Sequence, residues 1–171
     1  YEEKNMSLTR DNSKVQEAIF SSLFPKHPYG TQTVLGTQEN LKNPSITNIK
    51  NYYKQWYVPN NMAICMSGDL DPDATIALID KYFGGLKPNP ELPKLDLPKE
   101  APITQPVVKK VLGPDAESVA LAWRFPGASS KDFEILQVVS QVLYNGQAGL
   151  IDLNLNQQQK VLNSYGYPMG L

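Results

Sequence analysis

Apolar residues recur three and four positions apart in four segments of the chain, and this spacing predicts helices. The segments run from about 13 to 23, from 46 to 57, from 72 to 83 and from 131 to 143. The predicted N-terminal caps are the Asp11-Asn12-Ser13 run, Ser45, Asp71 and Ser130. Residues 1–10 predict the tail of an earlier helix, residues 30–44 a loop, and residues 150–159 a last helix.

Other apolar runs are too short for helices or alternate with a period of two, and they predict strands. Residues 62–66 form a continuous apolar run, which predicts a buried strand with Cys65 as an inert, buried thiol. Residues 107–112 and 117–125 flank a turn at 113–115 and predict an antiparallel hairpin. Strand pairs and helices come in clusters, so we expect an α+β fold with an antiparallel sheet and helices packed on one face.

Closely spaced prolines interrupt the pattern in the middle of the chain. They are Pro88, Pro90, Pro93, Pro98, Pro102 and Pro106. This spacing excludes a helix or a central strand, because proline lacks the backbone donor. We therefore predict an extended linker at 88–106 that joins two modules, residues 1–87 and residues 107–171.

Composition excludes several functional classes. The 171 residues are 41% hydrophobic and carry a formal net charge of −1, so neither a nucleic-acid-binding surface nor a disordered tail is expected. No apolar stretch approaches the roughly 20 residues of a membrane-spanning helix. Cys65 is the only cysteine, so cysteine content does not indicate a compartment. Bacterial-type periplasmic and cytoplasmic locations both stay open, because a signal peptide would precede Tyr1.

Two groups of residues have the spacing of a ligand-binding loop without its full set of ligands. Asp69, Asp71 and Asp73 lack the glycine and the glutamate of a calcium loop, so helix capping by Asp71 is the favoured role. Gly146 and Gly149 are not followed by the lysine and hydroxyl residue of a phosphate-binding loop. A helix end and a tight turn explain these glycines better.

Short segments in a characteristic order resemble a known family. They are Glu2-Glu3-Lys4-Asn5, His27-Pro28-Tyr29-Gly30, Gly36 with Glu39, Tyr57-Val58-Pro59-Asn60-Asn61-Met62, Gly68-Asp69-Leu70-Asp71, Tyr82-Phe83-Gly84-Gly85, Gly113-Pro114-Asp115, Asp132 and residues 143–150. Together they resemble the pitrilysin/insulinase-type (inverzincin) zinc metallopeptidases. The resemblance implies two partial repeats of the metallopeptidase type, the second of them non-catalytic, joined by the proline-rich linker.

The resemblance also identifies a candidate metal ligand. In that family, zinc is bound by the two histidines of a His-x-x-Glu-His helix and by a glutamate on a later helix. The resemblance places Glu3 at this third ligand position, with Glu2 as the alternative if the register shifts by one residue. The residues alone predict an ordinary solvated helix face for both glutamates. His27 is the only histidine, it precedes a proline, and a turn-forming or packing role is favoured over catalysis.

The resemblance implies an internal piece of a zinc-dependent metalloendopeptidase that cleaves peptides. We expect zinc in the intact parent, and neither zinc nor a catalytic residue in this chain, which is predicted to be inactive by itself. The alternative is a non-catalytic homologue that serves as a scaffold or as a peptide- or partner-binding module. Implied partners are a peptide substrate and the remainder of the same peptidase chain or a paired repeat. Incomplete sheet edges predict a homodimer of the isolated chain.

Overall fold

Seven α-helices follow one another in the computed structural model, which describes all residues from Tyr1 to Leu171. They are α1 (Glu2–Thr9), α2 (Asp11–Leu23), α3 (Pro28–Thr31), α4 (Gln38–Lys42), α5 (Ile46–Trp56), α6 (Pro72–Phe83) and α7 (Lys131–Leu143). A 3₁₀ turn at Pro59–Asn61 follows α5, and a π-helical turn at Asp152–Asn156 follows α7. The chain divides into two compact units, residues 1–117 and residues 118–171.

Side-chain caps begin three of the predicted helices at the predicted residues. Ser45 Oγ accepts a hydrogen bond from the N–H of Asn48 at 3.2 Å. Asp71 caps α6 in the same way at 2.8 Å, and Ser130 caps α7 at 3.3 Å. Each cap satisfies a backbone N–H that has no partner within its own helix, which confirms the prediction.

The start of α2 and the region before α5 differ from the prediction. Asp11 is the first residue of α2, and the helix has no side-chain cap. The Asp11 carboxylate instead accepts the N–H of Asp115 and the Nζ of Lys14, and these two bonds lower the pKa of Asp11. Residues 38–42, predicted to lie in a loop, form α4, which Thr37 caps.

No β-strand is present anywhere in the chain, so the predicted α+β fold with an antiparallel sheet is wrong. The candidate strands at 62–66, 107–112 and 117–125 make no ladder with one another. A strand is stable only when a neighbour takes up its backbone hydrogen bonds, and these segments have no such neighbour. The turn of the predicted hairpin is attached to α2 by two contacts. Asp11 Oδ2 accepts the backbone N–H of Asp115 at 2.9 Å, and Lys14 Nζ lies 3.5 Å from the carbonyl oxygen of Leu112.

Apolar side chains stay largely exposed because no sheet covers them. Val58 is the only buried apolar side chain. Large apolar side chains of α6 and of the candidate strand 117–125 are 43–89% exposed, namely Ile76, Leu78, Tyr82, Phe83, Val119, Leu121, Trp123 and Phe125. Cys65 is also exposed, so the prediction of a buried thiol is wrong. None of the helices combines the length and apolar character that crossing a bilayer requires.

Polar contacts attach the proline-rich segment to helix ends of the first unit. The Asn60 side chain makes two hydrogen bonds to the backbone of Asn89: its Nδ2 donates to the carbonyl oxygen at 2.8 Å, and its Oδ1 accepts the N–H at 2.9 Å. The Glu100 carboxylate accepts the backbone N–H groups of Lys26 and His27 at 2.6 and 2.7 Å. Residues 88–106 are therefore held in place by side chains, although their prolines remove backbone donors. The division of the chain into modules at this segment stays a prediction.

Candidate functional site

The helix that carries the candidate zinc ligand is attached to its neighbours through one face. Lys4 is buried in α1, and its Nζ donates to the Glu17 carboxylate of α2 at 2.8 Å. Asn5 Oδ1 accepts a hydrogen bond from Gln38 Nε2 of α4 at 2.6 Å. These two contacts fix the rotation of α1 about its own axis.

Glu3 lies on the side of α1 that faces away from these contacts. Successive helical residues rotate by about 100°, so Glu3 lies about 150° from the middle of the Lys4–Asn5 face and Glu2 lies about 110° from it. Both glutamates are exposed, and neither carboxylate has a hydrogen-bond or ion-pair partner in the chain. Glu3 is thus the one of the two that lies further from the attached face of α1. Its assignment as a ligand stays a prediction.

The side chains of this chain do not fit a complete zinc site. A zinc site in a protein requires at least three protein ligands. No group of three or more histidine, cysteine, aspartate or glutamate side chains lies close enough together to hold a metal ion. His27 caps α3, with its Nδ1 accepting the N–H of Tyr29 at 3.2 Å, which confirms the predicted turn-forming role.

A buried carboxylate organises the loop that follows α7. Asp152 is 4% exposed, and its Oδ2 accepts the backbone N–H groups of Asn145, Gly146 and Gly149 at 3.0, 3.0 and 3.1 Å. Converging N–H groups of this kind form an anion-binding nest, and here the protein's own carboxylate occupies it. The predicted helix end and tight turn are confirmed, since α7 ends at Leu143 and Gly146 has a φ of 79°.

Opposing effects act on the pKa of Asp152. Burial raises the pKa, whereas the N–H groups of Asn145 and Gly149, the side-chain amide of Asn156 and the N–H of Gly146 lower it by more. The pKa therefore lies below its ordinary value, and the group stays ionised at neutral pH. Because the charged carboxylate keeps the nest occupied, the loop offers no site for a phosphate. Asp152 is not recognisable from the sequence, because an aspartate three residues after a glycine is too common to be a signal.

A shallow groove of about 690 Å³ runs along α7 in the second unit. One side of the groove is α7, and the other is the segment 165–168. Its principal lining side chains are Glu134, Gln137, Gln141, Tyr144, Tyr165 and Tyr167. The Tyr165 ring centroid lies 6.3 Å from that of Tyr144 and 6.1 Å from that of Tyr167, so three aromatic rings lie at one end.

The groove presents hydrogen-bonding groups that have no partner within the chain. The side-chain amides of Gln137 and Gln141 lie one turn apart on α7 and make no hydrogen bond within the chain. The backbone groups of residues 165–167 also make no intramolecular hydrogen bond. Glu134 is the only charged side chain in the lining. This arrangement can bind an extended ligand that offers peptide-like groups and a positive charge.

Comparison with known families identifies the chain. The family model described as the peptidase M16 inactive domain matches residues 45–169. The chain belongs to the peptidase M16 family. This membership confirms the resemblance to pitrilysin/insulinase-type metallopeptidases that the ordered segments indicated.

Relatives of this M16 chain include named proteases and processing peptidases. It is 27% identical over 147 residues to zinc protease PqqE of Helicobacter pylori, which covers 84% of the chain and 33% of that protein. It is 28% identical over 106 residues to a probable mitochondrial-processing peptidase subunit beta of Schizosaccharomyces pombe, which covers 57% of the chain and 23% of that protein. A mitochondrial-processing peptidase subunit beta of Neurospora crassa is 29% identical over 77 residues, which covers 43% of the chain and 16% of that protein. The chain thus spans a third or less of the length of these relatives, and no solved structure matches it.

Proposed function

We propose that the chain is part of a zinc-dependent metalloendopeptidase and contributes mainly its non-catalytic portion. The observation that carries this proposal is the family match over 45–169, which extends through most of the chain. The name of the Helicobacter relative supports zinc in the full-length protein. In this proposal the substrate is a peptide, and the partner of this chain is the remainder of the same peptidase or a paired repeat.

Glu3 would supply one ligand to a zinc site that is completed by residues outside 1–171. The contacts of Lys4 and Asn5 support this role, because they hold α1 with Glu3 on its open face. Orientation of a ligand by surrounding contacts is a general requirement of metal sites. The chain has no second histidine, so both histidine ligands and the catalytic base must come from elsewhere.

We expect the purified chain to bind no stoichiometric zinc and to cleave no peptide, since one exposed carboxylate binds zinc only weakly. Zinc content is measured by inductively coupled plasma mass spectrometry after dialysis against dilute zinc, and peptide cleavage is measured by a peptidase assay. The full-length protein is the control and should contain one zinc per chain. One tightly bound zinc in residues 1–171 alone would contradict the proposal.

The groove along α7 favours a second candidate function, which is binding of an extended polypeptide segment. From Glu134 to Tyr144 the helix rises about 15 Å, which equals the length of four to five extended residues at about 3.3 Å each. The free backbone groups at 165–167 can pair with such a segment as a neighbouring strand would. Glu134 favours a basic side chain at one end of the groove, where it is the only charged lining group.

A fluorescein-labelled pentapeptide of alternating alanine and lysine should bind the chain saturably in a fluorescence anisotropy titration. We expect Glu134→Gln to weaken this binding about two- to fivefold, because an exposed ion pair contributes little free energy. The matched control is Asp132→Asn, which removes an exposed carboxylate from the first turn of α7 outside the groove. Absence of saturable binding, or an equal effect of both substitutions, would refute this second function.

A further inference from the structure

Two side chains of the π-helical turn hold the two chain segments that border the groove. Asp152 fixes the loop that leaves the C-terminal end of α7, through the three N–H groups described above. Asn156 binds the other segment: its Nδ2 donates to the carbonyl oxygen of Ser164 at 2.8 Å, and its Oδ1 accepts the N–H of Ser164 at 2.8 Å. This reciprocal pair reproduces the two hydrogen bonds of a pair of strand residues.

Asn156 is the main attachment of the groove wall at its start. Residues 165–169 make no backbone hydrogen bond of their own, and the next attachment is at the far end, where the N–H of Ala128 donates to the carbonyl oxygen of Leu171 at 3.2 Å. Apart from the ring contact of Tyr165 with Tyr144, the wall at 165–168 is therefore held at its two ends. Loss of the Ser164 pair would leave the ring contact of Tyr165 with Tyr144 as the remaining attachment of the wall near the end of α7.

Asp152 and Asn156 also act on each other. They lie four residues apart on one face of the turn, with Asn156 Nδ2 3.5 Å from Asp152 Oδ1. Gln157 adds a further tie, because its Nε2 donates to the carbonyl oxygen of Gln147 in the same loop at 2.7 Å. The loop after α7 and the start of the wall are thus both attached to a single five-residue turn.

We propose that Asp152 and Asn156 are positioning residues that set the distance between α7 and the groove wall. Neither side chain lines the groove, so both act through the backbone that they hold. The inference rests on the proposed binding of an extended polypeptide to the groove. Its geometric part, that Asn156 fixes Ser164 and Asp152 fixes the loop, can be measured without any ligand.

The test combines amide hydrogen exchange by NMR with anisotropy titration of the alanine–lysine pentapeptide. In Asn156→Ala, the exchange of the Ser164 amide should become at least about tenfold faster, because its hydrogen bond is lost, while Gly146 and Gly149 stay protected. Binding of the pentapeptide should weaken about tenfold. The titration is done well below the unfolding midpoints of both chains, at a temperature where their far-UV circular dichroism spectra match. In Asp152→Asn, the amides of Asn145, Gly146 and Gly149 should exchange faster instead.

The matched control is Asn154→Ala, which removes the same side chain from the same turn. Asn154 donates only to the carbonyl oxygen of Leu150, so neither the exchange of Ser164 nor the affinity should change. Unchanged exchange of Ser164 in Asn156→Ala would overturn the inference. Faster exchange with unchanged affinity would overturn the positioning role. If the wild-type chain does not bind the pentapeptide, the proposed groove function is wrong, and Ser164 exchange alone then decides whether Asn156 holds the wall.

Discussion

Replacing Glu3, the proposed zinc ligand, by glutamine in the full-length protein is expected to lower kcat/KM for peptide hydrolysis at least about 100-fold and to reduce the zinc content. The amide keeps the shape of the side chain but loses the negative charge that would attract the zinc ion, and a neutral amide oxygen is a weaker zinc ligand than a carboxylate. Changes to residues that merely orient a ligand already cost about 10–100-fold, so loss of the ligand itself should cost no less. Zinc content and peptide hydrolysis should be measured on the same preparation.

Glu2→Gln is the matched control, because it removes an identical side chain from the neighbouring position of the same helical turn. We expect it to keep nearly full activity, since Glu2 lies closer to the attached face of α1. If Glu2→Gln is the damaging substitution, the register is shifted by one residue. If both variants stay fully active, Glu3 is not a zinc ligand and the proposed metal role of this chain fails.

Gly149→Ala should destabilise the unit formed by residues 118–171 by about 1–3 kcal/mol, the usual cost of overpacking. A Cβ atom at Gly149 would lie 2.6 Å from the carbonyl oxygen of Leu143 and 2.8 Å from the Tyr144 Cα, and these backbone atoms cannot move without bending the end of α7. The free energy of opening is measured by amide hydrogen exchange of α7. Gly166→Ala is the control, because the nearest atom to its Cβ is Ile151 Cδ1 at 3.9 Å.

Gly166→Ala should change stability by less than about 0.5 kcal/mol, as an unstrained surface substitution does. Equal stability of the Gly149→Ala and wild-type chains would show that the loop is not packed against the end of α7. That result would also weaken the support for Asp152 as the group that orders this loop, because the Gly149 N–H donates to Asp152 in the packed conformation.

Helix starts were predictable because a cap acts over a few residues. Ser45, Asp71 and Ser130 each accept the N–H of the residue three positions later, so the signal and its partner lie in the same short stretch of sequence. The predicted cap at Asp11 was wrong, because its carboxylate accepts the backbone N–H of Asp115, which lies 104 residues away in the sequence. A capping residue with a competing distant partner cannot be recognised from its neighbours.

Strand predictions failed for the related reason that a strand depends on a partner. Residues 62–66 and 117–125 have strand-like composition, but composition does not supply the neighbouring backbone that makes a ladder. Without a sheet, Trp123 stays 69% exposed and Cys65 is exposed as well, although both had been placed in apolar patterns. Burial is decided by packing partners and not by the pattern alone.

The sequence by itself determined the family, the N-terminal caps of α5, α6 and α7, and the limit that a single histidine places on metal chemistry. These features depend on residue identity and on contacts within one helical turn. Only the tertiary structure showed that the sheet does not form, that Glu3 lies on the open face of α1, and that Asp152 and Asn156 bind the loop after α7 and Ser164. Each of these depends on contacts between different segments, such as Lys4 with Glu17 or Asn156 with Ser164, which no local pattern specifies.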